Sequence, residues 1–181
     1  MTTTGLTKWA IDATHSKAGF KVKHLMISNV TGSFREFSGD ATTVGDDFST
    51  AKVNFNLNTS SVDTEMADRD AHLKSPDFFD AGTYPEINFV GTGLKDLGDD
   101  IYELQGELTI KDVKKPVTLS AEFGGIMSDP WGNVKAGFSV NGKINRKDFG
   151  LNWNAALEAG GVLVGEEVKI ACDIQFAKLP A

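Results

Sequence analysis

The chain has 181 residues, 40% hydrophobic and 24% charged, which suits one globular domain with a sizeable core rather than a disordered or fibrous chain. Its net charge of −7 at pH 7 excludes long-range attraction to nucleic acid or to an acidic membrane, so an anionic ligand would need a local basic cluster. A single cysteine, Cys172, excludes an internal disulfide and a cysteine-based metal knuckle.

The opening "MTTTGLTKWAID" has no positive segment followed by an apolar one, and no apolar run reaches bilayer length. These features predict a cytoplasmic protein without membrane insertion, or a periplasmic one if the natural start was altered. A weak strand is expected over Trp9–Asp12. "AGFKVKHLM" then alternates, with Phe20, Val22, His24 and Met26 on one face and Lys21 and Lys23 on the other. A second weak strand is expected over Val30–Phe37. "KVNFNLNTS" sets Val53, Phe55 and Leu57 against Asn54, Asn56 and Asn58.

The pattern then changes. "TEMADRDAHLK" is rich in helix formers, with Asp63 or Thr64 as N-cap, and Met66, Arg69, His72 and Leu73 share one face. "SPDFFDA" reads as a second short turn with Ser75 as N-cap and Pro76 at its first position. The whole is a helical insertion between strands, placed where a barrel needs an end cover.

Alternation resumes with a weak strand at Ile87–Leu94, then Tyr102, Leu104, Leu108 and Ile110, then Val117, Leu119, Ala121 and Phe123. Val134, Ala136, Phe138 and Val140 form the next set. Val168, Ile170, Cys172, Ile174 and Phe176 form the last. Roughly eight or nine strands, separated by turns such as "VGDD" and "LGDD", suit an antiparallel sheet that curls up or packs on another. Gly91, Gly93, Gly106 and Gly142 fall on the inward parity, where glycine marks a barrel corner, leaves space for an approaching group, or relieves crowding. A barrel is favoured over a sandwich because closure removes exposed edges.

Catalytic signals are absent. The three histidines, His15, His24 and His72, lack metal-ligand spacing, and no nucleophile elbow, P-loop or dinucleotide fingerprint occurs. The residues therefore predict no metal, no cofactor and no enzyme. Asp68 and His72 read as a solvated pair one helical turn apart. His24 is either a core histidine or a polar group inside a ligand cavity. Cys172 packs as a small hydrophobe.

Four segments resemble the YceI-like family: "HSKAGFKVKHLMISNVTGSF", "LNTSSVDTEMADRDAHLKSPDFFDAGTYPEINF", "GELTIKDVKKPVTL" and "KINRKDFGLNWN". They follow the family's order over nearly the whole chain. The resemblance implies one domain over residues 1–181. Its fold would be all-β with a helical cover at about 64–80, an antiparallel, eight-stranded, extended lipocalin-like barrel around an apolar cavity. It also implies non-covalent binding, transport or storage of a polyisoprenoid, such as an isoprenoid quinone or a polyprenyl diphosphate, by a homodimer. Many members are periplasmic, whereas this sequence shows no export signal. Asp112 also stands where glycine is commoner in the family.

On that implied fold the ligand chain would meet Phe20, Val22, Phe55, Leu57, Phe89, Leu104, Leu108, Leu119, Phe138, Val140, Ile170 and Ile174. The head group would meet Arg69, His72 and Lys74, with His24, Asn145 and Arg146 beside them. Two structural readings compete: an Arg69–Asp70 salt bridge fixing the helix, and an Arg146–Asp148 pair locking a turn. Two other functions compete: a lipid hydrolase or isomerase using His72 with Asp68 or Asp70, and a structural partner of a membrane redox protein.

Overall fold

A computed structural model describes residues 5–155, 157 and 162–180. Segments with alternating apolar side chains form strands, because one pleated face is buried and the other wet. These are β1 (Leu6–Ile11), β2 (Lys17–His24), β3 (Ser28–Phe34), β4 (Phe37–Val44), β5 (Asp47–Asn58) and β6 (Val62–Asp63). After helix α1 (Ala67–Lys74) follow β7 (Glu86–Asp96), β8 (Ile101–Ile110), β9 (Val113–Ser128), β10 (Val134–Asn145) and β11 (Val164–Lys178).

The strands pair antiparallel in the order β1-β4-β5-β7-β8-β9-β10-β11, and β11 returns to β1 through Trp9↔Lys178, Ala10↔Ala177 and Ile11↔Phe176. That closure makes an eight-stranded barrel. The N-terminal half of β11 pairs instead with β2, which pairs with β3, and β3 with β6. Beyond the Asn58↔Glu86 pair, Thr59 still donates from its N and Oγ1 to the carbonyls of Pro85 (2.9 Å) and Tyr84 (2.8 Å), and the segment carrying α1 leads from β6 back to β7.

The two ends differ. At one, Phe48 packs against Trp9, Phe123 and Phe138 with ring centroids 5.0, 5.5 and 4.9 Å away. Trp9 is fully buried, and its Nε1 donates to Thr43 Oγ1 at 3.0 Å, so the polar edge of the indole is satisfied. This aromatic plug closes the barrel. The other end carries the β2–β3 hairpin, the α1 segment and residues 146–155, and forms the mouth.

Several expectations are corrected. Val30–Phe37 is not one strand, because the chain breaks between β3 and β4 at Arg35 and Glu36. Met26 does not continue the inward face of β2. It sits in the hairpin with φ 63° and is exposed. A register shift between Gly91 and Gly93 takes Gly93 off the expected parity, where a side chain would meet open space, and Leu94 packs against the core. Gly106 and Gly142 relieve crowding: a Cβ there would overlap the Phe89 ring and the Leu119 side chain, respectively.

The helix also differs from its sequence reading. It begins at Ala67 with Met66 in the cap position and no side-chain cap. In place of a cap, Thr64 donates from its N (2.8 Å) and Oγ1 (2.5 Å) to Asp70 Oδ1, a carboxylate inside the helix. Ser75 ends α1, its Oγ donating to the His72 carbonyl at 2.5 Å, and Pro76 begins a short turn, as the sequence suggests.

Candidate functional site

The barrel encloses a cavity of about 530 Å³, within the range typical of small-molecule sites. Its lining along β11 runs from Val164 to Phe176. That is about 40 Å of strand, or about 30 Å along the barrel axis once strand tilt is allowed for. The cavity is therefore long and narrow. Every aliphatic and aromatic candidate named from the sequence, Phe20 through Ile174, lines it. Phe48, Phe138 and Phe176 form the floor, while Leu73, Phe78 and Phe79 of the cover line the mouth end.

Polar side chains in the lining are confined almost wholly to the mouth: Lys23, His24, Asp68, Arg69, His72 and Arg146. Cys172 lies among apolar residues further in, and burial pushes its thiol pKa up, which keeps it protonated and unreactive.

Arg69 divides its guanidinium. Nε donates to Thr64 Oγ1 and one terminal nitrogen to the Thr64 carbonyl, both at 2.7 Å, while the residue also faces the cavity. It forms no salt bridge with Asp70; the two meet through Thr64 instead. His72 pairs not with Asp68 but with Asp77, Nε2 lying 2.9 Å from Oδ2. Its ring stands edge-on to Trp153 at 4.6 Å and to Phe78 at 5.0 Å. The α1 segment is thereby joined to Trp153 across the mouth.

Two head-group candidates lie outside the cavity. Lys74 is absent from its lining and contributes a minor part of the field that lowers the Asp63 pKa. Most of that lowering comes from the Glu65 backbone N–H, then from Arg35. Asn145 is exposed, and its Oδ1 accepts from the Lys147 N–H at 3.0 Å. Arg146 does reach the lining but is 2% exposed and held by backbone. It donates to the carbonyls of Gly165 (2.7 Å), Leu151 (2.6 Å), Trp153 (2.9 Å) and Val164 (3.3 Å). The expected Arg146–Asp148 lock is replaced by this clamp on the chain that follows. Burial lowers the guanidinium pKa, opposed by the Glu166 charge.

Trp153, Asp77 and Phe48 complete the site without having been singled out in the sequence. Trp153 lies in a stretch with no periodicity, and only its size among the polar residues of "LNWN" hints at a buried role.

A family model described as "YceI-like domain" matches residues 9–176. A UPF0312 protein of Staphylococcus aureus is 39% identical over 175 residues, covering 95% of this chain and 98% of the relative. The Campylobacter jejuni YceI protein is a similar solved structure: 31% identity, TM-score 0.75, covering 87% of this chain and 90% of the other. A polyisoprenoid-binding domain from Saccharophagus degradans shares the fold at 16% identity and TM-score 0.68, covering 94% of this chain and 98% of that one.

Proposed function

The chain belongs to the YceI-like family, and on that premise we propose that it binds a long-chain amphiphile, a polyisoprenoid, non-covalently for transport or storage. The observation that carries this reading is the polarity gradient of the cavity: among the described residues it is apolar from floor to waist, with the cations, the imidazoles and Asp68 at the mouth. The likeness to a polyisoprenoid-binding domain supports the ligand class. Each buried CH₂ contributes about 0.8 kcal/mol, so about ten of them offset the several kcal/mol lost in ordering ligand and lining. A short chain would not. The apolar tail enters first, and an isoprenoid quinone ring or a diphosphate stays at the mouth near Lys23, His24, Arg69 and His72.

The site reads as a binder rather than a catalyst. The hydrolase alternative, expected with Asp68 or Asp70, would instead pair His72 with Asp77, 2.9 Å away. Titrating lipid-free protein with a polyprenyl diphosphate should saturate at one ligand per chain and return the lipid unchanged. Val140→Trp, which fills the waist, should abolish saturation while the far-ultraviolet circular dichroism stays that of a β-barrel. Undiminished binding by that variant would place the ligand elsewhere. Time-dependent conversion of the lipid, lost in His72→Ala, would favour the enzyme.

A further inference from the structure

The β2–β3 hairpin beside the mouth ends in three exposed apolar residues, Leu25, Met26 and Ile27, the last 85% exposed. Leu25 and Met26 both have positive φ, 56° and 63°, in a tight turn where asparagine and glycine are the usual choice. Neither turn geometry nor burial accounts for large hydrophobes there. The tip is nevertheless fixed to the site: the Leu25 N–H donates to the Leu163 carbonyl at 2.9 Å, and the preceding residue, His24, lines the cavity. Met66, also exposed, lies on the same lip.

The wall under this tip carries a row of lysines, bordered by Glu166 and Glu167 of β11 and, across the mouth, by the carboxylates of the α1 segment. Lys143, Lys169 and Lys21 stand directly opposite one another across β10, β11 and β2, and Lys23 lies next to the tip on β2. Lys143 reaches Glu167 at 3.7 Å, but Lys21, Lys23 and Lys169 make no ion pair among the described residues. Like charges directly opposite in adjacent strands are destabilising, a cost that an outside anion would relieve. Among the described residues the far end has no comparable row of lysines. Its hairpins carry Asp46, Asp47, Asp99 and Asp100, with Lys178 reaching Asp46 at 3.0 Å, and the exposed Trp131 sits two residues from Asp129.

We propose that the Leu25–Met26–Ile27 tip inserts into the surface of an anionic bilayer. Lys21, Lys23 and Lys169 meet lipid phosphates there, and the cavity mouth is set against the membrane. The net charge of −7 supplies no long-range pull, so the contact is local and short-ranged. A convex apolar tip flanked by lysines suits an interface where tail and phosphate are layered, and it adjoins a cavity built for the same kind of chain. That this contact loads the cavity rests on the lipid-binding reading above; the docking itself does not.

Co-sedimentation with vesicles separates the two. The full chain should sediment with vesicles of phosphatidylcholine mixed with phosphatidylglycerol, and far less with phosphatidylcholine alone. High salt should release it. Met26→Gly combined with Ile27→Asp, changes the turn accommodates, should weaken anionic-vesicle binding at least about tenfold. Lys21→Glu with Lys169→Glu should remove the preference for phosphatidylglycerol. Trp131→Ala should change nothing. Equal binding to both vesicle types, or undiminished binding by the tip variant, would overturn the proposal. So would sedimentation velocity showing a dimer that the tip variant makes monomeric. Retention of a polyprenyl diphosphate by the same variants tests the cavity independently, and the tip variant should retain it.

Discussion

Arg146 shows how a single cation organises the mouth. Its guanidinium meets four backbone carbonyls and no carboxylate, so its planar fork is matched to chain rather than to charge. Arg146→Lys should lower stability by about 3 kcal/mol, because an ammonium cannot reach all four acceptors and those left unpaired stay buried. Thermal unfolding would measure it, and an unchanged midpoint would refute the clamp. Asp12 holds another local network. Thr14 Oγ1 donates to it at 2.6 Å, Lys135 Nζ lies 2.9 Å away and His15 Nδ1 2.8 Å, and these hold its carboxyl far below the usual range, Thr14 most. A depressed carboxyl contributes stability above its unfolded pKa of about 4, and loses it as pH falls toward the folded value. Asp12→Asn should therefore cost about 1 kcal/mol at pH 7, the pair being partly open to solvent. The gap to the parent should close as urea unfolding is repeated at falling pH below about 4. A gap independent of pH would assign the loss to packing. At this scale the sequence was a partial guide. Strand parity identified the apolar lining because a buried face demands it, whereas Lys74, Asn145 and Arg146 depended on which way loops and caps turn.

Among the elements, α1 is eight residues long and has no side-chain cap, so it depends on tertiary ties. Thr64 is the chief of these, joining Asp70 and Arg69 through one hydroxyl. Thr64→Val should leave both charged partners short of a hydrogen bond, costing about 1–3 kcal/mol locally. Hydrogen exchange of the 67–74 amides should quicken and bound lipid should exchange faster, with little change in β7–β11. Uniform loss across the barrel would contradict a separable cover. The large alternating side chains of β5, β8, β10 and β11 made those strands legible. β4 was not, because Ala41 and Thr43, its buried side chains, are small and the alternation carries little contrast. The helix existed where composition placed it, but its start depended on a contact from Asp70 back to Thr64 that no cap pattern describes.

At the scale of the molecule, closure between β1 and β11 and the plug around Phe48 give one barrel with one sealed end. Glycine sustains its hollowness: where Gly106 and Gly142 omit a Cβ, Phe89 and Leu119 occupy the space against the wall. Gly106→Val should push Phe89 inward, destabilise by about 1–3 kcal/mol and lower ligand capacity in the titration. The barrel and its apolar interior were legible because period-two alternation fixes an inside and an outside. Which end is plugged was not, since inward parity is the same for a residue that fills the core and one that lines a tunnel. Native mass spectrometry of the protein as purified from cells tests the occupied tunnel most directly. Binding predicts a non-covalent mass increment that denaturation releases as a long-chain lipid. The bare chain mass alone, persisting after incubation with polyprenyl diphosphate or isoprenoid quinone, would contradict it.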